Sequence, residues 1–148
     1  LINQLTQAAE AVIFIQHTEA GGLEEGSEGF ALLPDLNQPA GAFYVTKTAC
    51  DAFYNTSLEA LLREQEIDEF IICGCATDYC VDATFKNGVS RGYHITVAED
   101  AHTSANRPAA DAQVLIAHYN DVWRNFIAPA NPPSVKRTET ILENWKAN

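Results

Sequence analysis

The sequence predicts an α/β fold: a mainly parallel sheet with helices on both faces. Three observations carry that expectation. Ala11–Gln16 (AVIFIQ) and Glu69–Gly74 (EFIICG) are almost continuously apolar and rich in β-branched residues, the pattern of strands covered on both sides. Segments with helical spacing alternate with such runs along the chain. A strand–helix–strand order of this kind sets neighbouring strands parallel through right-handed crossovers.

Taken in order, Leu1–Glu10 reads as the end of an amphipathic helix, with Leu1, Leu5, Ala8 and Ala9 on one face and no cap ahead of them. Ala11–Gln16 is the first strand. His17–Ala42 is a long irregular stretch with five glycines and two prolines, and loops of that length inside a domain commonly carry function. Phe43–Thr46 (FYVT) is a short strand. Thr56 suits an N-cap, with Glu59 as its capping-box partner, for the helix SLEALLREQ, whose Leu58, Leu61 and Leu62 share a face. Glu69–Gly74 is the next strand. Cys80–Ser90 reads as a helix with Val81, Phe85 and Val89 inward and Gly92 past its end. Tyr93–Ala98 (YHITVA) is a strand. Pro108 suits the first position of a helix that runs to about Ile127, before Pro129. Ser134–Arg137 is a last short strand, and Thr138–Lys146 a terminal helix. With no repeat, linker or low-complexity segment, residues 1–148 are expected to form one domain.

Composition narrows the function. The 148 residues, 47% of them hydrophobic, suffice for one core. A net charge of −11 argues against nucleic acid and anionic membrane surfaces, which need Lys/Arg patches. No apolar run approaches the roughly 18 residues of a membrane span, and no basic-then-apolar leader opens the chain. A cytoplasmic setting, where thiols stay reduced, is expected. The chain lacks Met and opens inside a helix, so an N-terminally incomplete sequence is expected.

Three of the four cysteines fall in CGCATDYCVDAT, Cys73–Thr84. A zinc site would need a second ligand pair, and none is present. Cys73 and Cys75 lie two apart on a strand, where a disulfide between them is sterically poor. Small, buried, apolar side chains are the expectation for both. Cys80 differs: it lies past a strand's C-terminal end and at a helix start, the edge at which open α/β sheets bind ligands. Helix-start N–H groups can lower a thiol pKa from about 8.5 into the range of roughly 3.5–7.5 and can hold an oxyanion. Position alone fits a nucleophile and a structural cysteine equally well.

Gly74-Cys-Ala-Thr77-Asp78-Tyr-Cys80-Val81 resembles the G-x-x-T-[D/N]-x-C-V signature of the isochorismatase-like cysteine hydrolases. Lys47 in VTKTACDAFYNTSLEALL resembles that family's K…AF-x-x-T-x-L segment, and GYHITVAEDAHTS its GY-x-V-x-x-x-x-DA strand and loop. The three blocks stand in the family's order, and the resemblance covers about Val12 to Ala128. It implies a Rossmann-like, three-layer α/β/α sandwich with Cys80 as nucleophile and Lys47 as the cation of the site. It also implies a cis peptide between Cys75 and Ala76, and an oxyanion hole from the N–H groups of Ala76 and Cys80. The family's catalytic Asp would stand on a strand ahead of Leu1, and neither Asp78 nor Asp51 matches it.

The family's nicotinamidase branch holds a metal through an Asp-x-His after its second strand, where this chain reads Gln16-His17-Thr18-Glu19, so neither metal nor other cofactor is expected. His17, Phe53, Tyr54, Tyr79 and His102 are candidates for the pocket, each with ordinary packing as the competing reading. Trp123 and Trp145 read as packing residues and His118 as a packed or solvent-facing one. Ile141, Leu142 and Trp145 would face either their own domain or a neighbouring subunit, since family members often oligomerise. The resemblance thus implies hydrolysis of a small amide or carbamoyl compound through a thioester on Cys80. Alternatives are isochorismatase-type vinyl ether hydrolysis, a catalytically silent binding or scaffold role, and a redox-sensing thiol at Cys80.

Overall fold

The computed structural model describes residues 1–147 and arranges the strands in two parallel ladders. β1 (Ile13–His17) pairs with β2 (Phe43–Lys47), Ile13 opposite Phe43 through His17 opposite Lys47. β3 (Glu69–Cys75), β4 (His94–Thr103) and β5 (Ser134–Lys136) form the second ladder, with β4 in the middle. The helices are α1 (Ile2–Ala8), α2 (Leu58–Glu64), α3 (Asp82–Ser90), α4 (Ala112–Arg124) and α5 (Thr138–Ala147). A π-helical turn, Thr77–Val81, leads from β3 into α3.

Strand alternation sorts the core onto two faces. Phe70 and Ile72 pack with Val81, Phe85, Val89, Ile95, Val97 and Trp123 beneath α3 and α4. Ile71 and Cys73 point the other way, toward Leu5, Ala98, Ala101 and Ile141 of α1, β4 and α5. This is the three-layer α/β/α arrangement that the sequence implies. A third cluster, of Val45, Ala52, Phe53, Leu58 and Leu62, seats α2 against β1 and β2. Gly88 lets α3 lie close on β4, since a Cβ there would stand 2.6 Å from Ile95 Cδ1.

β1 and β3 are less covered than their apolar runs suggest. Only Phe14 of β1 is fully buried, and β3 is half-buried or exposed along its length. Each has one edge without a hydrogen-bonded neighbour among the described residues. β4 instead runs on to Thr103, with a register break in which Ile72 faces Val97 and Gly74 faces His102. The inserted residues serve the helices. Asp100 caps α5, accepting from the Thr138 N–H at 2.8 Å and its hydroxyl at 2.7 Å. Burial raises the Asp100 pKa, but these hydrogen bonds outweigh it, and the net direction is down.

Helix starts differ from expectation where side chains compete for the backbone. The Thr56 hydroxyl does accept from the Leu58 N–H at 3.2 Å, but Glu59 does not close the box; its carboxylate binds Arg63 and Arg91. Pro108 sits in a turn between Arg107 and Ala110, a favoured turn position for proline, and α4 begins only at Ala112. Asn106 Oδ1 takes the Ala112 N–H at 2.9 Å. On α1 the inward residues are Leu5 and Thr6, while Leu1 is exposed. Ile141 packs on its own domain, Trp145 is partly exposed, His118 is exposed and Trp123 is fully buried.

Candidate active site

The C-terminal ends of β1, β2 and β3 deliver His17, Lys47 and Cys75. Lys47 is 5% exposed, which excludes an ordinary surface lysine. Its Nζ donates to the Ala49 carbonyl at 2.8 Å and to Cys80 Sγ at 3.2 Å, and lies 3.2 Å from His17 Nδ1. An ammonium has three donors and no acceptor, so His17 Nδ1 accepts and the ring proton sits on Nε2. That nitrogen faces the Glu19 carboxylate at 3.6 Å. Among the described residues no carboxylate comes within 4.0 Å of Lys47 Nζ. Burying a cation away from an opposite charge is costly. The neighbour in contact that can become negative is the Cys80 sulfur.

Cys80 rides a turn built for close approach. Gly74 takes φ +111°, a conformation open to a residue without Cβ, and the Cys75–Ala76 peptide is cis. The Ala76 carbonyl accepts from the N–H groups of Tyr79 and Val81, both at 3.1 Å. The helical turn begins at Thr77, three residues earlier than the sequence suggests, so Cys80 lies within it rather than at its open end. Cys80 is half-buried.

Behind the turn runs a buried polar chain. Asn120 Nδ2 donates to the Glu99 carbonyl at 3.1 Å, which leaves Asn120 Oδ1 to accept from His102 Nε2 at 3.0 Å. His102 Nδ1 then accepts from the Thr77 hydroxyl at 2.8 Å. Burial lowers the His102 pKa and keeps the ring neutral, as this chain requires. His102 therefore braces the turn from behind instead of lining the pocket. Trp123 lies edge-on to His102 and donates to Asp82 at 3.0 Å.

In front, Asp78 is gripped by Arg107 at 2.8 and 3.1 Å and by the Ser104 hydroxyl. The Arg107 hydrogen bonds lead in pulling the Asp78 pKa down to about 2. Arg107 also lies 4.6 Å above the exposed Tyr79 ring. Opposite, the 48–53 segment is tied to α3: Ala52 N–H donates to Thr84 at 3.0 Å, and Asp51 accepts from Phe53 N–H and from Asn87.

Of the pocket candidates, His17 is at the site and Tyr79 beside it, whereas Tyr54 is exposed. Phe53 is a core residue, stacked on Tyr93. Cys75 is exposed, not buried as expected, because the strand edge beside it is open. Cys73 is half-buried, and burial pushes its thiol up to about 11, well away from reactivity at neutral pH. Sequence reasoning missed Cys50, Ser104, Arg107 and Asn120. Only Cys50 carried a local signal, three residues past Lys47.

The isochorismatase domain family matches residues 1–124, and the chain belongs to that family of hydrolases. An uncharacterized isochorismatase family protein of Bacillus subtilis (strain 168), YddQ, is 27% identical over 97% of this chain and 81% of its own. The ureidoacrylate amidohydrolase RutB of Yersinia enterocolitica is 33% identical over 63% of this chain but only 40% of its own length. The chain thus spans about two fifths of that relative. In fold, a cysteine hydrolase from Pseudomonas syringae superposes with a TM-score of 0.87 at 22% identity, covering 99% of this chain and 78% of that one. Among the described residues, no helix is long and apolar enough to cross a membrane.

Proposed function

We propose that the protein hydrolyses the C–N bond of a small amide or carbamoyl compound, with Cys80 as nucleophile. The observation that carries this reading is the buried Lys47 ammonium, whose three donors end on His17, Ala49 and the Cys80 sulfur with no carboxylate beside it. The amidohydrolases among the relatives support the choice of an amide. In the reaction the thiolate adds to the carbonyl carbon, and charge grows on the carbonyl oxygen. The Ala76 and Cys80 N–H groups receive that oxygen. The nitrogen leaves as an amine or ammonia with one added proton. Water then cleaves the thioester to the acid and restores Cys80. A reducing compartment suits such a thiol.

One observation favours a second reading, a silent binding member: Asp78 and Asp51 are committed to Arg107 and to the 53 and 87 positions, so neither is free to take a proton from Cys80. The experiment is incubation with a panel of ureido, N-carbamoyl and primary amides, followed by ammonia release and intact mass. Turnover, an acyl adduct on the Cys80 peptide, and loss of both in Cys80→Ala are expected. Tight binding of a panel member without turnover would give the silent reading the lead, and ammonia release that persists in Cys80→Ala without an adduct would remove Cys80 as the nucleophile.

A further inference from the structure

We infer that Cys50 and Cys80 form a reversible disulfide when the protein meets a hydroperoxide, so that Cys50 is the resolving thiol of a redox modification site. The placement comes from hydrogen bonds on both sides of Cys50. On one side Lys47 Nζ bonds the Ala49 carbonyl at 2.8 Å and Cys80 Sγ at 3.2 Å, so one nitrogen holds the peptide that precedes Cys50 against the Cys80 sulfur. On the other side Asp51 and Ala52 are pinned to Asn87 and Thr84 of α3, the helix that continues from the Cys80 turn. The two thiols are thus carried on segments braced to each other. Cys50 is exposed and Cys80 half-buried, so a small oxidant reaches the pair from solvent. In support, burial first and then the nearby Cys80 push the Cys50 thiol up. The remaining cysteines are placed differently: Cys73 lies on the α1/α5 face, and Cys75 is exposed at the end of β3.

The chemistry balances with the hydroperoxide as oxidant. The Cys80 thiolate attacks the outer peroxide oxygen; the O–O bond breaks, an alcohol or water leaves, and Cys80 becomes a sulfenic acid. The Cys50 sulfur, losing its proton, attacks the Cys80 sulfur, and the S–O bond breaks with release of water. Two thiols lose two electrons in total and the peroxide gains them. A low-molecular-weight thiol reverses the step by exchange. The proposal rests on Cys80 being a reactive thiol and not on amide turnover.

The test treats the reduced protein with one equivalent of hydrogen peroxide, alkylates it, and reads peptides by mass spectrometry. A loss of two hydrogens and a cross-linked peptide pair carrying Cys50 and Cys80, reversed by dithiothreitol, are expected. Cys50→Ser should instead hold Cys80 as a sulfenic acid with one equivalent and let it pass on to sulfinic and sulfonic acid in excess peroxide, while Cys73→Ser with Cys75→Ser should leave the cross-link intact. A Cys80 oxidised to the same products at the same rate with or without Cys50, or a cross-link through Cys75, would overturn the inference. Because the readout is covalent mass, its failure is separate from a failure to find amide turnover.

Discussion

Cys80 and Lys47 touch across 3.2 Å, yet they arrive from regions of unlike construction. Cys80 stands on the three-stranded side, where β4 is paired on both edges and Phe85, Ile95, Val97 and Trp123 are fully buried. Its turn is backed by the Thr77–His102–Asn120 chain, in which every polar atom has a partner. Lys47 stands on a two-stranded ladder with an open edge at β1 and an exposed Tyr44 on β2. The comparison teaches that the position of Cys80 is held by a finished core, whereas that of Lys47 is held chiefly by its own three hydrogen bonds. The more completely buried side is the one that carries the Cys80 turn.

The largest effect should come from removing the buried indole behind the Cys80 turn. Trp123→Ala deletes a fully buried side chain and leaves Asp82 without its 3.0 Å donor, at an expected cost of about 3–5 kcal/mol. The counterpart in the two-stranded region is Leu62→Ala, whose side chain is 2% exposed. Beside an open edge the structure can collapse into the space, so its cost should lie near about 2 kcal/mol. Urea unfolding of both variants, compared at equal m-values, makes the check. Equal losses would erase the distinction between the two regions. Next in size, Thr77→Val removes the hydrogen bond to His102 Nδ1 in a buried site, for an expected loss of about 1–3 kcal/mol. A Thr77→Ser variant, which keeps the hydroxyl, should recover most of it.

The same contrast governs what could be read in the sequence. β1 to β4, the five helices and the packing of Trp123 were legible because apolar periodicity reports burial. The limits of β3 and β1 were not: a continuous apolar run says that a strand is hydrophobic, but not that both its edges are paired. The Cys80 and Lys47 blocks were legible through family resemblance, and the structure brings the two side chains together. The place of His102 was left open between the site and a loop-capping role, because a histidine after a strand reads the same whether it faces a pocket or a buried asparagine. Arg107 was invisible because its partner, Asp78, lies 29 residues earlier and only the fold brings them together. Pro108 misled because proline suits both a helix start and a turn, and Asn106 decided between them.

A smaller effect tests the front of the Cys80 turn by pH. The Asp78 pKa is about 2 when folded against an ordinary 3.8, so the folded state prefers the charged form. The stability this contributes is complete above about pH 4 and is lost as pH falls toward 2. Arg107 is about a third exposed, so solvent screening holds the contribution to about 1 kcal/mol. In Asp78→Asn the fall in stability between pH 4 and pH 2 should be shallower than in the parent. Asp100, also shifted down, remains in both proteins and cancels in the difference. Parallel slopes would mean that the Arg107 grip contributes nothing.

The smallest effect on stability is expected at Lys47. Lys47→Met keeps the length and volume of the side chain while removing a buried ammonium. The lost hydrogen bonds to Ala49 and His17 oppose the relief of desolvation, and the two nearly cancel, so stability should change by no more than about 1 kcal/mol in either direction. Cys80 loses its 3.2 Å donor, however, and should be alkylated by iodoacetamide more slowly than in the parent at the same neutral pH. A Lys47→Arg protein sharpens the reading: it keeps the charge but not the compact three-way geometry, and should fall between the two. If Lys47→Met instead unfolds at much lower urea while Cys80 reacts unchanged, the ammonium is a structural brace of the two-stranded ladder. The contact with Cys80 would then be a consequence of packing and not the means by which the site works.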